Sequence, residues 1–282
     1  MKRKVVCFVA LVASLAVACN QSKPAEQQVE KPVDTPAVAQ QTNTPDFRDS
    51  IQYDTLTFPN AYDTSLPGKI ITTGGFHGDE VWDNLEKDNW FGLFKSAEKH
   101  YIAATPVTVK EVFDPVLDED STKEATGREV NIENKDTCLL LLSHLGDLIQ
   151  EHDVESVPLP VNEVKPGESI TIRYKEVTYT LSATGEKRMV QENDEYIWNY
   201  KLYLTATKNG TTIKQLLAAF PSFDDAMVTL VFAGDIDGDG MLDLIMDTSN
   251  HYNVTVPTLY LSKPAAAGEL LKIMGVHIAV GC

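Results

Sequence analysis

The chain has 282 residues, of which 43% are apolar, and carries a formal net charge of -17 at pH 7. This length and apolar content are sufficient for one or two hydrophobic cores. The excess of acidic residues argues against nucleic acid and against electrostatic docking on anionic lipid, because both would repel the protein.

Residues 1–18 have the pattern of a secretory signal peptide. Lys2, Arg3 and Lys4 precede an apolar run that ends in small residues and is too short to span a membrane. We therefore expect export, which excludes a role in cytosolic metabolism. This leader contains three cations and no acid, so its removal takes the formal charge from -17 to -20.

Cys19 follows at once, in the sequence LAVAC. This ending resembles the lipobox of bacterial lipoproteins, although Ala16 stands where the family usually has leucine, and Leu15 lies one position earlier. The resemblance implies cleavage before Cys19, diacylglycerol on its sulfur and acyl chains such as palmitate that hold the protein to a membrane. We expect the bacterial cell envelope, at the periplasmic face of the outer membrane; the alternative is ordinary cleavage nearby.

Residues 19–47 are predicted to form a disordered tether. They are rich in Gln, Pro, Ala and Thr and have almost no aromatic side chains, so they cannot bury enough apolar surface to become ordered. The prolines stiffen such a chain, which would lift the folded part away from the membrane.

An N-terminal α+β part is predicted for residues 48–160. In NKDTCLLLLSHLGDLIQEH, residues 134–152, Asp136 is a suitable N-cap and the apolar residues are too dense for one exposed face, which predicts a buried helix. Residues 82–101 are a candidate for a second, shorter helix. Residues 113–130 contain acids and turn formers and are expected to be an exposed loop.

Residues 161–282 are predicted to form a β-rich C-terminal part. Apolar and polar residues alternate on both sides of Lys175-Glu176 and of Asn209-Gly210, which indicates two hairpins. Three further strands are predicted in VTLVFAGD, LDLIMD and TLYLS. The fold class is therefore mainly β, with antiparallel sheets and one buried helix. Prolines mark a boundary near residue 160, which leaves open whether the two parts pack as one unit.

Besides Cys19, the mature chain has two cysteines, Cys138 and Cys282. An oxidising compartment permits a disulfide between them. The alternative is that Cys138 is buried as a small hydrophobic side chain.

The sequence AGDIDGDGMLDLIMD contains the ligand spacing of a calcium loop. Positions 1, 3, 5 and 9 are carboxylates, position 6 is a glycine for the sharp turn, and position 7 offers a carbonyl. Without a cation these carboxylates would repel one another, so the spacing favours a metal over a solvated acidic turn. The predicted calcium ligands are Asp235, Asp237, Asp239, the carbonyl of Met241, and Asp243.

The loop is not an EF-hand, because Met246 stands at position 12 and the flanks have strand patterns. Residues 228–262 instead resemble the FG-GAP and VCBS repeats of integrin-like propellers. This resemblance implies that calcium is held between two strands by the five residues named above. A propeller needs several such blades and the chain has one, so we expect a single calcium-stapled hairpin with a structural ion.

TTGGFHGDE offers a rival interpretation. His77-x-x-Glu80 resembles the zinc motif of carboxypeptidase- and desuccinylase-type hydrolases, with His152, His144 or His251 as candidates for a third ligand. That family also needs a substrate-binding arginine shortly afterwards, where this chain has VWDNLEKDNWFG. The alternative without a metal is that His77 lies in a glycine-rich turn that leads into tryptophans of the core.

These features together predict a calcium-binding lipoprotein that is structural or binds an envelope protein or glycan. We assign no catalytic residues, and a zinc-dependent hydrolase that uses His77 and Glu80 is the alternative.

Overall fold

The computed structural model describes residues 46–119, 125–192, 194–208 and 210–281. The signal peptide, Cys19, nearly all of the tether and Cys282 lie outside these ranges, so lipidation and the pairing of Cys138 with Cys282 stay predictions. Within the described ranges, no helix has the length and apolar character needed to cross a membrane.

Residues 46–50 contain a 3₁₀ helix, Phe47–Ser50. Residues 51–282 form one compact unit. Its described part contains no α-helix, but has 3₁₀ helices at Gly78–Glu80, Leu85–Lys87 and Gly146–Leu148. Its strands are β1 Lys69–Ile71, β2 Gly74–Phe76, β3 Phe91–Lys95, β4 His100–Ala104, β5 Val107–Val112, β6 Gly127–Ile132, β7 Thr137–Ser143, β8 His152–Val154, β9 Ser169–Tyr174, β10 Val177–Gln191, β11 Asp194–Lys208, β12 Thr211–Ser222, β13 Thr229–Gly234, β14 Asp243–Asp247, β15 Val254–Thr255, β16 Pro257–Leu261, β17 Lys272–Val276 and β18 Ala279–Val280.

The strands form antiparallel sheets, which confirms the prediction of a mainly β fold with antiparallel sheets. Their orders are β1-β7-β3-β4-β8, β12-β11-β10-β9, β13-β14-β16-β17, β2-β6-β5 and β15-β18. Both predicted hairpins are present: Tyr174 pairs with Val177 across the Lys175-Glu176 turn, and Lys208 pairs with Thr211 around Gly210. The three further predicted strands are β13, β14 and β16.

The predicted buried helix over residues 134–152 is wrong. Its apolar run is β7, which lies between β1 and β3 in the five-stranded sheet. Leu140, Leu141 and Leu142 are all fully buried, because both faces of this strand are covered. A strand buried on both faces has a continuous apolar run, which periodicity alone does not distinguish from a buried helix.

The candidate second helix over residues 82–101 is also wrong. The segment contains only one 3₁₀ turn and then enters β3 and β4, which pair with each other. The loop expected over residues 113–130 is exposed at Val116 and Leu117, but Asp114 is buried and β6 begins at Gly127.

One hydrophobic cluster joins the regions before and after residue 160. It packs Leu93 and Leu140 with Ile245 and Leu259. The two regions also meet where the Gly68 N–H donates to the Met274 carbonyl at 2.8 Å. The acidic loop therefore connects two strands, β13 and β14, of a sheet that packs one face into a core shared by both regions.

Candidate metal site

The acidic loop connects β13 to β14, and Gly234 pairs with Asp243 where the two strands close. Gly238 and Gly240 have φ angles of +71° and +85°, in the left-handed region that glycine adopts without strain. These two glycines let the backbone turn tightly enough to direct alternate side chains inward.

Three predicted ligands are brought together. Asp235, Asp237 and Asp239 each present a carboxylate oxygen, and these oxygens lie within 4.8 Å of one another. Asp235 and Asp237 are buried, with 8% and 5% of their surface exposed, whereas Asp239 is exposed. Oδ1 of Asp235 and Oδ1 of Asp237 are both buried without a hydrogen-bond partner. Unpartnered buried carboxylate oxygens are costly, and a cation bound by the three side chains would offset that cost.

Other contacts hold the carboxylates in this arrangement. Asp235 Oδ2 accepts the Gly240 N–H at 2.9 Å, and Asp237 Oδ2 accepts the Lys263 N–H at 3.0 Å. Each of these two side chains therefore has one oxygen bonded to a backbone N–H and the other buried without a partner. Asp239 is held by the Met241 N–H at 2.7 Å and by the Ser262 hydroxyl at 3.0 Å.

Asp243 lies beside this cluster rather than in it. Its Oδ2 accepts the N–H groups of Ile236 at 2.6 Å and Asp237 at 3.1 Å, and its Oδ1 accepts the N–H of Ser262 at 2.7 Å. The side chain is fully buried, and burial together with the charge of Asp237 raises the pKa of Asp243 well above its usual value. Asp243 thus ties the start of the loop to the end of β16.

The cluster is electrostatically unfavourable without a cation. The pKa of Asp237 is raised to about 6, chiefly by burial; hydrogen bonds from the Lys263 and Asp239 N–H groups lower it, and the charges of Asp239 and Asp235 raise it. The cause is loss of hydration of a charged carboxylate, which a divalent ion would offset.

Residues from distant segments complete the surroundings of the cluster, and no sequence motif predicted that they would lie there. Lys175, in the β9–β10 turn, places Nζ 3.5 Å from Asp235 Oδ2 and 3.8 Å from Glu155 Oε2. The Tyr174 hydroxyl lies 3.2 Å from Glu155 Oε2 and 3.5 Å from Asp235 Oδ2. Nε2 of His152 is 3.5 Å from the Asp235 carbonyl. The β9–β10 hairpin was predicted, but its position against the loop was not.

No protein-family model, curated protein or solved structure matches the chain. The resemblance of residues 228–262 to FG-GAP repeats therefore stays a prediction that rests on the loop itself.

The rival zinc residues are engaged elsewhere. His77 Nδ1 lies 2.5 Å from Asp114 Oδ2, a contact that raises the pKa of His77. The two carboxylate oxygens of Glu80 accept the N–H groups of His77 at 2.9 Å and Val280 at 2.5 Å. In the part of the chain that the structure describes, the three-aspartate cluster is the one group of at least three His, Cys, Asp or Glu side chains close enough to share an ion. None of the histidines proposed as a third ligand joins His77 and Glu80 in such a group.

The aromatic residues near His77 have two roles. Trp90 is buried in the core, as expected, and so is Phe94. Trp82 packs against Trp90 with ring centroids 5.8 Å apart and lines a cavity of about 580 Å³ together with Tyr62 and His277. This cavity is large enough for a small ligand and is separate from the aspartate cluster.

Proposed function

We propose that the loop between β13 and β14 binds one calcium ion that fixes this hairpin, and that the protein has a structural or binding role in the bacterial cell envelope. The observation that supports the ion most directly is the pair of buried, unpartnered oxygens on Asp235 and Asp237. A small dehydrated cation satisfies both oxygens and removes the repulsion between the carboxylates.

The donor set favours calcium over zinc. All the grouped side chains are carboxylates, and hard oxygen ligands suit calcium, whereas structural zinc sites use cysteine and histidine. We assign the carboxylates of Asp235, Asp237 and Asp239 and the Met241 carbonyl as ligands, with water completing the six to eight positions that calcium requires. Asp243 was predicted from its spacing as a ligand. In this proposal it instead holds the loop backbone in place by accepting the N–H groups of Ile236 and Asp237.

Calcium is expected to raise the melting temperature of the metal-stripped full-length protein by roughly 5–10 °C at about 100 times the dissociation constant. The ion binds only the folded arrangement of the loop, so mass action stabilises the folded state. Thermal unfolding after chelation, with calcium, magnesium or zinc added back, measures this effect. The variant Asp237→Asn should lose most of the response.

The exposed residue Asp83 provides the matched control, because Asp83→Asn removes the same charge away from the cluster and should respond to calcium like the natural protein. A melting temperature that calcium leaves unchanged would contradict the site. A response to zinc alone, lost in His77→Ala, would support the hydrolase alternative.

The proposed envelope location rests on residues 1–19 and predicts a second result. Cys19→Ser should move the protein from the membrane fraction to the soluble fraction, because the acyl chains would have no sulfur to carry them. Metabolic labelling with a palmitate analogue and membrane fractionation measure this. Labelling that persists in Cys19→Ser would contradict acylation at this residue.

A further inference from the structure

Lys175 stands at the edge of the proposed calcium site on a different sheet from the acidic loop. It occupies the two-residue turn between β9 and β10, with a φ of +50°, in the left-handed region that non-glycine residues seldom adopt. Its ammonium lies 5.0 Å from the centroid of the Tyr174 ring and 3.5 Å from Asp235 Oδ2. The turn therefore directs a positive charge at one ligand of the cluster.

The contact uses the oxygen of Asp235 that the metal would not need. Oδ2 accepts the Gly240 N–H and faces Lys175, whereas Oδ1 is the buried oxygen without a partner. An ion on Oδ1 and the ammonium near Oδ2 would share one carboxylate. Two cations on one carboxylate repel each other, so each weakens the binding of the other.

We propose that Lys175 is the counter-cation of the aspartate cluster: it stabilises the loop in the absence of metal and lowers the affinity of the loop for divalent ions. This inference rests on the proposed calcium site. It adds a residue that sets the affinity of the site and connects the β9–β12 sheet to the β13–β14 hairpin.

The size of the effect follows from charge and distance. An ion bound about 2.4 Å from Oδ1 of Asp235 would lie roughly 6 Å from Nζ of Lys175, which is 3.5 Å from Oδ2 of the same carboxylate. The Lys175 side chain is 44% exposed, so this interaction is screened almost as in water. Removal of the ammonium is then expected to tighten calcium binding about tenfold. Because Coulomb energy is proportional to ion charge, the same change should tighten terbium(III) binding about thirtyfold.

The test compares calcium and terbium binding by the natural full-length protein and by Lys175→Gln, Lys175→Arg and Lys263→Gln. Titration calorimetry against a chelator of known affinity gives the dissociation constants. Lys175→Arg keeps the charge and should stay within about twofold of the natural protein. Lys263 is the matched control, because its backbone N–H contacts Asp237 but no ion pair of its side chain is found among the described residues. Its replacement should change affinity by less than about threefold.

A second measurement concerns the protein without metal. In the presence of EDTA, Lys175→Gln should melt at a lower temperature than the natural protein, because Asp235 loses its counter-cation, and Lys263→Gln should not.

The outcomes separate the two proposals. Calcium binding by the natural protein with an unchanged affinity in Lys175→Gln would overturn the role of Lys175 and leave the calcium site standing. Equal tightening for calcium and terbium would also overturn it, since a rearranged loop rather than charge would be the cause. Binding of neither ion by any of the four proteins would contradict the calcium site itself. Tighter binding in Lys175→Gln, greater for terbium, supports the proposal.

Discussion

Replacement of Asp243 by alanine is expected to lower the free energy of unfolding by about 4 kcal/mol, with or without calcium. Asp243 is fully buried and accepts three backbone N–H groups, from Ile236, Asp237 and Ser262. Alanine would leave all three donors without this acceptor inside the protein, and a buried unsatisfied donor costs about 1–3 kcal/mol. Urea unfolding of the metal-free protein measures the loss.

Two variants make this result interpretable. Asp243→Asn keeps the size of the side chain but turns one acceptor into a donor, so it should also destabilise the protein. Asp153→Ala is the control, because Asp153 is exposed and forms a surface ion pair with Lys99, worth at most about 1 kcal/mol. A loss in Asp243→Ala no larger than that in Asp153→Ala would show that the loop does not depend on Asp243.

Asp237 is expected to make the metal-free protein less stable by up to about 3 kcal/mol as the pH rises from about 4 to 7. The folded-state pKa of Asp237 is about 6, above the usual 3.8. Between these values the folded protein retains a proton that the unfolded chain has released. The folded state binds more protons in this window, so a rise in pH favours unfolding, and the penalty is complete above about pH 6.

The contribution of Asp237 is isolated by comparison with Asp237→Asn. In EDTA, the difference in unfolding free energy between the natural protein and this variant should change with pH across the window, whereas Asp83→Asn should track the natural protein. Calcium stabilises the ionised carboxylate, so the gain from calcium should grow from pH 5 to pH 7. A difference that is constant with pH would contradict the raised pKa of Asp237.

Strands of the second half such as β9 and β10 were predicted well from the sequence because one face of each strand is buried and the other is more exposed. In β10, Val177, Tyr179 and Leu181 are buried and alternate with polar residues, which is the signature of a strand with one covered face. In β7 the consecutive leucines are buried on both faces, and that signature is shared with a core helix. Asp136, predicted as a helix cap, instead accepts the hydroxyl of Tyr101 at 2.7 Å.

The candidate site was predictable only where it is local in sequence. The spacing of Asp235, Asp237 and Asp239 within one tight loop is enough to bring their carboxylates together. The burial of this loop and the approach of Lys175 depend on how separate sheets pack, and no local pattern encodes that. The same holds for Asp243, whose spacing fits a ligand but whose oxygens accept backbone N–H groups at the start of the loop and directly after β16.

The contact between Gly68 and Met274 has a consequence for how the protein avoids aggregation. β1 and β17 are edge strands of two different sheets, and exposed edges invite pairing with other chains. Here the two edges meet closely: a Cβ at Gly68 would lie 2.6 Å from the Met274 carbonyl oxygen, and one at Gly275 would lie 2.9 Å from Cγ2 of Ile70, so glycine lets the backbones approach. Because β17 is synthesised long after β1, the edge of β1 stays uncovered until late in folding. During that time it can pair with other chains, a risk of aggregation that is typical of proteins rich in contacts between distant residues.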